Sequence, residues 1–166
     1  MVRIIEGDMF ENIAPHSVIL HQANCLGIAG AGVAQEIKNR YPGWFDAYAE
    51  HCRQYTPSAL LGSFHTYDVP GADIKICSVF GQNGIGKERQ QTNYGAWKTA
   101  LPEIVLQLET RYAAGDVWTV RAPYGVGCGL GGGDWRVMKD LFEYYAGYSP
   151  VDFVFYRLLA EAFRRG

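Results

Sequence analysis

The placement of glycine constrains this chain more than any other feature. Gly27, Gly30 and Gly32 follow the apolar run Val18–Gln22, and Gly81, Gly84 and Gly86 follow Ile74–Phe80. Six more, Gly125, Gly127, Gly129, Gly131, Gly132 and Gly133, follow Val117–Ala122. Each of these runs reads as a strand, so three glycine-rich loops leave the C-terminal ends of three strands. In α/β sheets that edge is where ligands bind. Glycine there permits positive φ and lets backbone N–H groups come close to a ligand, where consecutive groups form nests for anions. Ordinary tight turns would account for one such loop. Three at one edge point to a phosphate-containing ligand. The twenty glycines follow no Gly-X-Y period, which excludes a collagen-like chain.

The remaining pattern alternates strand and helix. Val2–Ile5 is a further short strand. Gly30–Arg40 and Trp44–Gln54 fit helices, the first ended by Tyr41-Pro42 and the second near Pro57. Ser63–Asp68 and Ile74–Phe80, separated by Pro70-Gly71, read as a hairpin. Thr92–Tyr112 is a long helix in which Pro102 predicts a kink or break. Trp135–Ala146 is a helix, Val151–Tyr156 a strand, and Arg157–Arg165 a short final helix. Together these predict a single α/β domain over residues 1–166, with a mixed sheet covered on both faces.

Composition removes several classes. With 48% apolar and 19% charged residues the chain is not disordered. A net charge of −2 supplies no basic field for nucleic acid or an anionic membrane. No stretch approaches 18 apolar residues and Met1–Asp8 is not a signal peptide, so a cytoplasmic protein with no membrane partner is expected. Cys25, Cys52, Cys77 and Cys128 lack metal-ligand spacing and read as free thiols. Two nucleotide motifs are near misses. Gly81–Lys87 fits G-x-x-x-x-G-K, but Glu88 stands where a P-loop needs Ser or Thr for Mg²⁺. Gly127–Gly132 fits G-x-G-x-x-G, but too late in the chain for a Rossmann half.

Four segments, in order, resemble the macrodomain, a module that binds ADP-ribose. They are Ile5-Glu-Gly-Asp8-Met-Phe10; His21-Gln-Ala-Asn24-Cys25 through Ala34; Phe80-Gly81-Gln82 with Thr92-Asn93-Tyr94; and Pro123-Tyr124 through Trp135. The third and fourth are most similar to the branch that processes ADP-ribose 1''-phosphate. The resemblance implies a three-layer α/β/α fold with a mixed six-stranded sheet. It implies that Asp8 meets the adenine amino group with Met9 beside it, and that Asn24 and the Gly30, Ala31, Gly32 and Val33 backbone surround the distal ribose. Gly125, Val126, Gly127, Cys128, Gly129, Leu130 and Gly131 would wrap the diphosphate. Tyr124, Phe80 and Tyr156 are candidates for stacking on the adenine or the distal ribose.

Several of these residues have simpler readings. Asp8 with Glu11 forms a D-x-x-E capping box. Asn24 suits a turn, Asp134 suits the N-cap of the next helix, and Lys87 suits a solvated loop. His21 reads as a packed, satisfied histidine, and Cys25 and Cys128 as small space-fillers.

Asn24, Lys87 and Asp134 are the candidate catalytic side chains. One related branch cuts ADP-ribosyl esters with a lysine and an aspartate just after the Cys-Gly-Leu of its loop, where this chain has Gly131. A neighbouring branch acts on ADP-ribosylated nucleic-acid bases through a lysine placed roughly at Gln82 or Asn83. The resulting expectation is a monomer that binds ADP-ribose or ADP-ribosylated protein and hydrolyses an ADP-ribose derivative. Its substrate would be an ester on a protein carboxylate or the 1''-phosphate, with a nucleic-acid link left open but not favoured. No metal or redox cofactor is implied. The rival class is a non-catalytic ADP-ribose reader.

Overall fold

A computed structural model describes residues 1–158. Six strands, β1 (Val2–Glu6), β2 (Ser17–Asn24), β3 (Phe64–Val69), β4 (Ile74–Gln82), β5 (Thr119–Pro123) and β6 (Phe153–Arg157), form one sheet in the order β1-β6-β5-β2-β4-β3. Five strands are parallel, and β3 runs antiparallel to β4 at the edge. The helices are α1 (Gly32–Arg40), α2 (Pro42–Gln54), α3 (Pro57–Leu60), α4 (Tyr94–Ala113) and α5 (Trp135–Ala146).

Strand periodicity sorts the core into two halves. Val18, Leu20, Cys77, Val79, Val120, Phe153 and Phe155 pack with residues of α4 and α5, including Trp97, Leu101, Met138 and Phe142. Ile19, Ala23, Ile76 and Phe80 point the other way, onto Ile37 of α1, Trp44 and Tyr48 of α2 and Leu60 of α3. A sheet buried on both faces explains why these strands read as continuous apolar runs rather than alternating ones. Because β4, β2 and β5 are parallel neighbours, their C-terminal ends bring the three glycine loops to one edge side by side.

Some expectations need correction. Pro102 does not break α4, which is continuous over twenty residues; the carbonyl it leaves unpaired belongs to exposed Lys98, where water can replace the lost bond. α3 was not anticipated. It is a single turn, capped by the Thr56 hydroxyl and started by Pro57 at its first position. Gly81 lies within β4, not after it. Arg157 closes β6 rather than opening a helix, and the rest of the expected final helix, from residue 159, lies outside the described residues.

His21 is only half satisfied. Its Nε2 pairs with Ser78 Oγ at 2.7 Å, and Trp44 Nε1 donates to that same oxygen, but its Nδ1 has no partner. Burial pushes its pKa down from 6.5 to about 4. The unfolded chain therefore binds a proton that the folded chain refuses between those two values. Stability is fully present above about pH 6.5 and falls as the pH drops toward 4, by about 3 kcal/mol from this residue. Urea unfolding at pH 7 and pH 4.5 should show the loss, and His21→Leu should flatten it. An equal pH dependence in the variant would contradict this origin.

Candidate functional site

The loop after β2 is folded by Asn24. Its Oδ1 accepts from the N–H groups of Leu26 at 3.0 Å and Ile28 at 3.2 Å, and its Nδ2 donates to the Ile28 carbonyl at 2.7 Å. The Tyr48 hydroxyl donates to Asn24, to both its carbonyl and its side chain. Asn24 is thus buried and committed to holding its own loop. Beyond it, α1 begins without a side-chain cap, since Ala31 at the N-cap offers none. Its first amides have no side-chain partner, and with the helix dipole they suit an anion. A Cβ at Gly30 would meet nothing within 4 Å.

The loop after β5 is a chain of tight turns, in which Val126, Cys128, Gly132 and Gly133 donate to Pro123, Gly125, Gly129 and Gly127 respectively. Among the described residues, the N–H groups of Gly127, Gly129, Leu130 and Gly131 donate to no protein acceptor. Three of these are consecutive, the arrangement that suits an anion. The glycines of this loop divide into two sets. A Cβ at Gly129 would meet open space. One at Gly131 would lie 2.5 Å from Thr92 Oγ1, 2.7 Å from Gln22 Nε2 and 2.8 Å from the Gly127 carbonyl, and those at Gly127 and Gly133 would also fall within 3 Å of neighbours. Glycine at 129 leaves room for something outside the chain; at 127, 131 and 133 it lets the loop close on the residues beneath. Leu130 reaches across toward Gly32, 3.2 Å from where a Cβ would stand, so the first and third loops lie beside each other.

At the β1 end, Asp8 Oδ1 accepts from the Phe10 N–H at 2.8 Å, and Glu11 N–H bonds the Asp8 carbonyl at 3.1 Å. This is an Asx turn with no helix after it, not a capping box. Met9 is buried. Arg121, on β5, holds this turn from below through the carbonyls of Met9, Glu11 and Asn12. Of the three stacking candidates, Phe80 is fully buried against Tyr48 and His51 and cannot reach a ligand. Tyr124 is exposed, packed on Trp135 and covered by the Arg157 guanidinium; Tyr156 lies under Arg121.

The three candidate catalytic side chains are not brought together by any described contact. Asp134 is the N-cap of α5, accepting from the Arg136 N–H at 2.9 Å, and the Arg136 guanidinium beside it holds its carboxyl below the usual range. Lys87 lines an open cavity of about 470 Å³ with residues of its own loop, including Ile85, Glu88 and Arg89. Burial raises the thiols of Cys25 and Cys128 to about 11, so neither is a thiolate at neutral pH. Sequence reasoning gave no role to Arg121, Gln22 or Thr92. The signal for Gln22 was a polar side chain near the end of a strand whose middle, Val18–Leu20, is apolar.

The sheet order, its two helical layers and the glycine edge define the macrodomain fold. The macrodomain of Mycobacterium tuberculosis DarG superposes with a TM-score of 0.72 at 23% identity, over 94% of this chain and 97% of that one. A Bacteroides thetaiotaomicron protein of unknown function superposes at 0.79 and 24% identity over 96% and 98%. Thermosipho africanus DarTG, solved in complex with ADP-ribose, superposes at 0.73 and 20% identity, over 96% of this chain and 42% of that one. No family model matches. Among curated proteins, an ADP-ribose 1''-phosphate phosphatase of Meyerozyma guilliermondii is 40% identical over 72 residues, 42% of this chain and 41% of its own length. The match thus spans less than half of that relative. One from Saccharomyces cerevisiae is 23% identical over 95% of this chain and 98% of its own.

Proposed function

We propose that this protein binds ADP-ribose along the first and third glycine loops and hydrolyses an ADP-ribose derivative, ADP-ribose 1''-phosphate foremost. The observation that carries the reading is the run of undonated N–H groups at Gly129, Leu130 and Gly131, beside an uncapped helix N-terminus, with open space at Gly129 and Gly30. That combination suits a diphosphate, whose charge is spread over several oxygens and is met best by several fixed dipoles. The distal ribose would then lie along Gly30, Ala31, Gly32 and Val33, with the adenine toward Asp8, Met9 and the Tyr124 and Tyr156 rings. The relatives named as ADP-ribose 1''-phosphate phosphatases support the choice of substrate.

The proposed site carries few groups able to move a proton. Asn24 and Asp134 are tied into the scaffold, the loop thiols stay protonated and His21 is sealed in the core. Catalysis here rests on positioning and on fixed dipoles, with the ligand's own phosphates orienting water near the distal ribose. In the 1''-phosphate reaction water adds to the phosphorus, the bond from phosphorus to the 1''-oxygen breaks, and ADP-ribose and inorganic phosphate leave.

The same commitment of Asn24 and Asp134 favours the second reading, a reader that binds ADP-ribose without cutting anything. Incubation with ADP-ribose 1''-phosphate and with ADP-ribosylated protein decides between them. Release of phosphate or free ADP-ribose is the expected result. Tight binding with no product from either substrate would leave the reader, and no binding at all would defeat both.

A further inference from the structure

Gln22 sits beneath the glycine loops without belonging to any of them. It is near the end of β2, the strand between those that feed the second and third loops. Every polar atom of its side chain is used, each by a different part of the chain. Its Oε1 accepts from the indole N–H of Trp97, on α4, at 2.7 Å. Its Nε2 donates to Gln82 Oε1, at the end of β4, at 2.7 Å and to Thr92 Oγ1 at 2.9 Å. Both partners pass the bond on: the Thr92 hydroxyl donates to the Gly127 carbonyl, and Gln82 Nε2 donates to the Gly84 carbonyl at 2.8 Å.

Two hydrogen-bonded chains of fixed direction therefore start from one carboxamide. One runs from Trp97 through Gln22 and Thr92 into the third glycine loop, and the other through Gln82 into the second. Bonds aligned in this way polarise and strengthen one another. The surrounding glycines fit the same picture. A Cβ at Gly81, Gly127 or Gly131 would lie 2.6, 2.9 or 2.7 Å from a terminal atom of the Gln22 side chain. The register shift in β2–β4 pairing beside Gly81 falls at the same place. Three of the glycines that mark this sequence are thus shaped to a side chain of the protein itself.

We infer that Gln22 is the positioning residue of the site, setting the carbonyl of Gly127, and with it the amides of Gly129–Gly131, in the orientation that receives an anion. The inference rests on the reading that this loop holds ADP-ribose. It touches no ligand itself and acts through Thr92. Gln22→Met keeps the length of the side chain and removes all three bonds, while Thr92→Val removes the hydroxyl that joins Gln22 to Gly127 and leaves the bonds to Trp97 and Gln82, and Thr92→Ser keeps that hydroxyl.

The test is titration of the full chain and these variants with ADP-ribose, alongside amide hydrogen exchange across the Gly127–Gly133 loop and α4. Gln22→Met and Thr92→Val should each bind at least tenfold more weakly, the double variant should lose little beyond the weaker single, and Thr92→Ser should stay within threefold of the parent. Loop amides should exchange at least tenfold faster in Gln22→Met while those in the middle of α4 change little. A folded Gln22→Met with unchanged loop exchange would overturn the inference, as would a Thr92→Ser no better than Thr92→Val. Should Gln22→Met fail to fold, Thr92→Val and Thr92→Ser decide. If the parent binds no ADP-ribose, the functional reading fails, and loop exchange still decides the role of Gln22.

Discussion

Gly129→Glu is expected to abolish ADP-ribose binding in a protein that melts at the same temperature as its parent. A Cβ at this position meets nothing within 4 Å, and the backbone does not need a positive φ there, so the fold loses nothing. The new carboxylate would stand among the free amides of Gly129–Gly131, where the diphosphate is proposed to sit. Two like charges about 4 Å apart near a protein surface repel by roughly 4 kcal/mol. That corresponds to a loss of affinity of about three orders of magnitude. Calorimetric titration measures it, and thermal unfolding supplies the control. Micromolar affinity retained in a folded variant would remove the diphosphate from this loop.

Gly131→Ala, only two residues away, should behave in the opposite sense and damage the loop itself. The added methyl would meet Thr92 Oγ1, Gln22 Nε2 and the Gly127 carbonyl, all closer than real Cβ contacts allow. The carbonyl cannot retreat without releasing the Gly133 N–H that it accepts at 2.9 Å. Overpacking of this kind costs about 1–3 kcal/mol. For a chain of this length each kcal/mol lowers Tm by roughly 2–4 °C. The variant should therefore both melt earlier and bind ADP-ribose more weakly, and a Tm equal to the parent's would mean that the loop has slack the structure does not show. The pair separates two uses of one residue type, glycine that leaves room for a ligand and glycine that makes room for the protein.

That distinction marks how far the sequence could be read. The strands inside the sheet were legible because each carries a short apolar run bounded by turn residues, and α5 because Asp134 and a period of 3.6 announce it. From the strands followed the shared edge of the three loops. The roles of individual glycines were not legible, because Gly129 and Gly131 are locally alike and differ only in what the rest of the fold puts beneath them. Arg121 and Gln22 were missed for a related reason. The Arg121 guanidinium reaches carbonyls 109 to 112 residues earlier in the chain, and Gln22 bonds groups 60 to 75 residues later. No local pattern encodes such meetings. Asn24 is an intermediate case. Its bonds to Leu26 and Ile28 are local enough that the turn reading could be made from sequence alone.

The pattern also accounts for the shape of the functional proposal. A site lined by main chain offers a ligand many donors and few titratable groups, so the geometry speaks more strongly about the diphosphate than about the bond that is cut. The most direct test of the central claim is a calorimetric titration of the parent chain with ADP-ribose, repeated with ribose 5-phosphate, which lacks the diphosphate. The account predicts saturable one-to-one binding of ADP-ribose and binding of ribose 5-phosphate weaker by at least about a hundredfold, which is roughly 3 kcal/mol. Equal affinity for the two, or no heat with ADP-ribose, would contradict it.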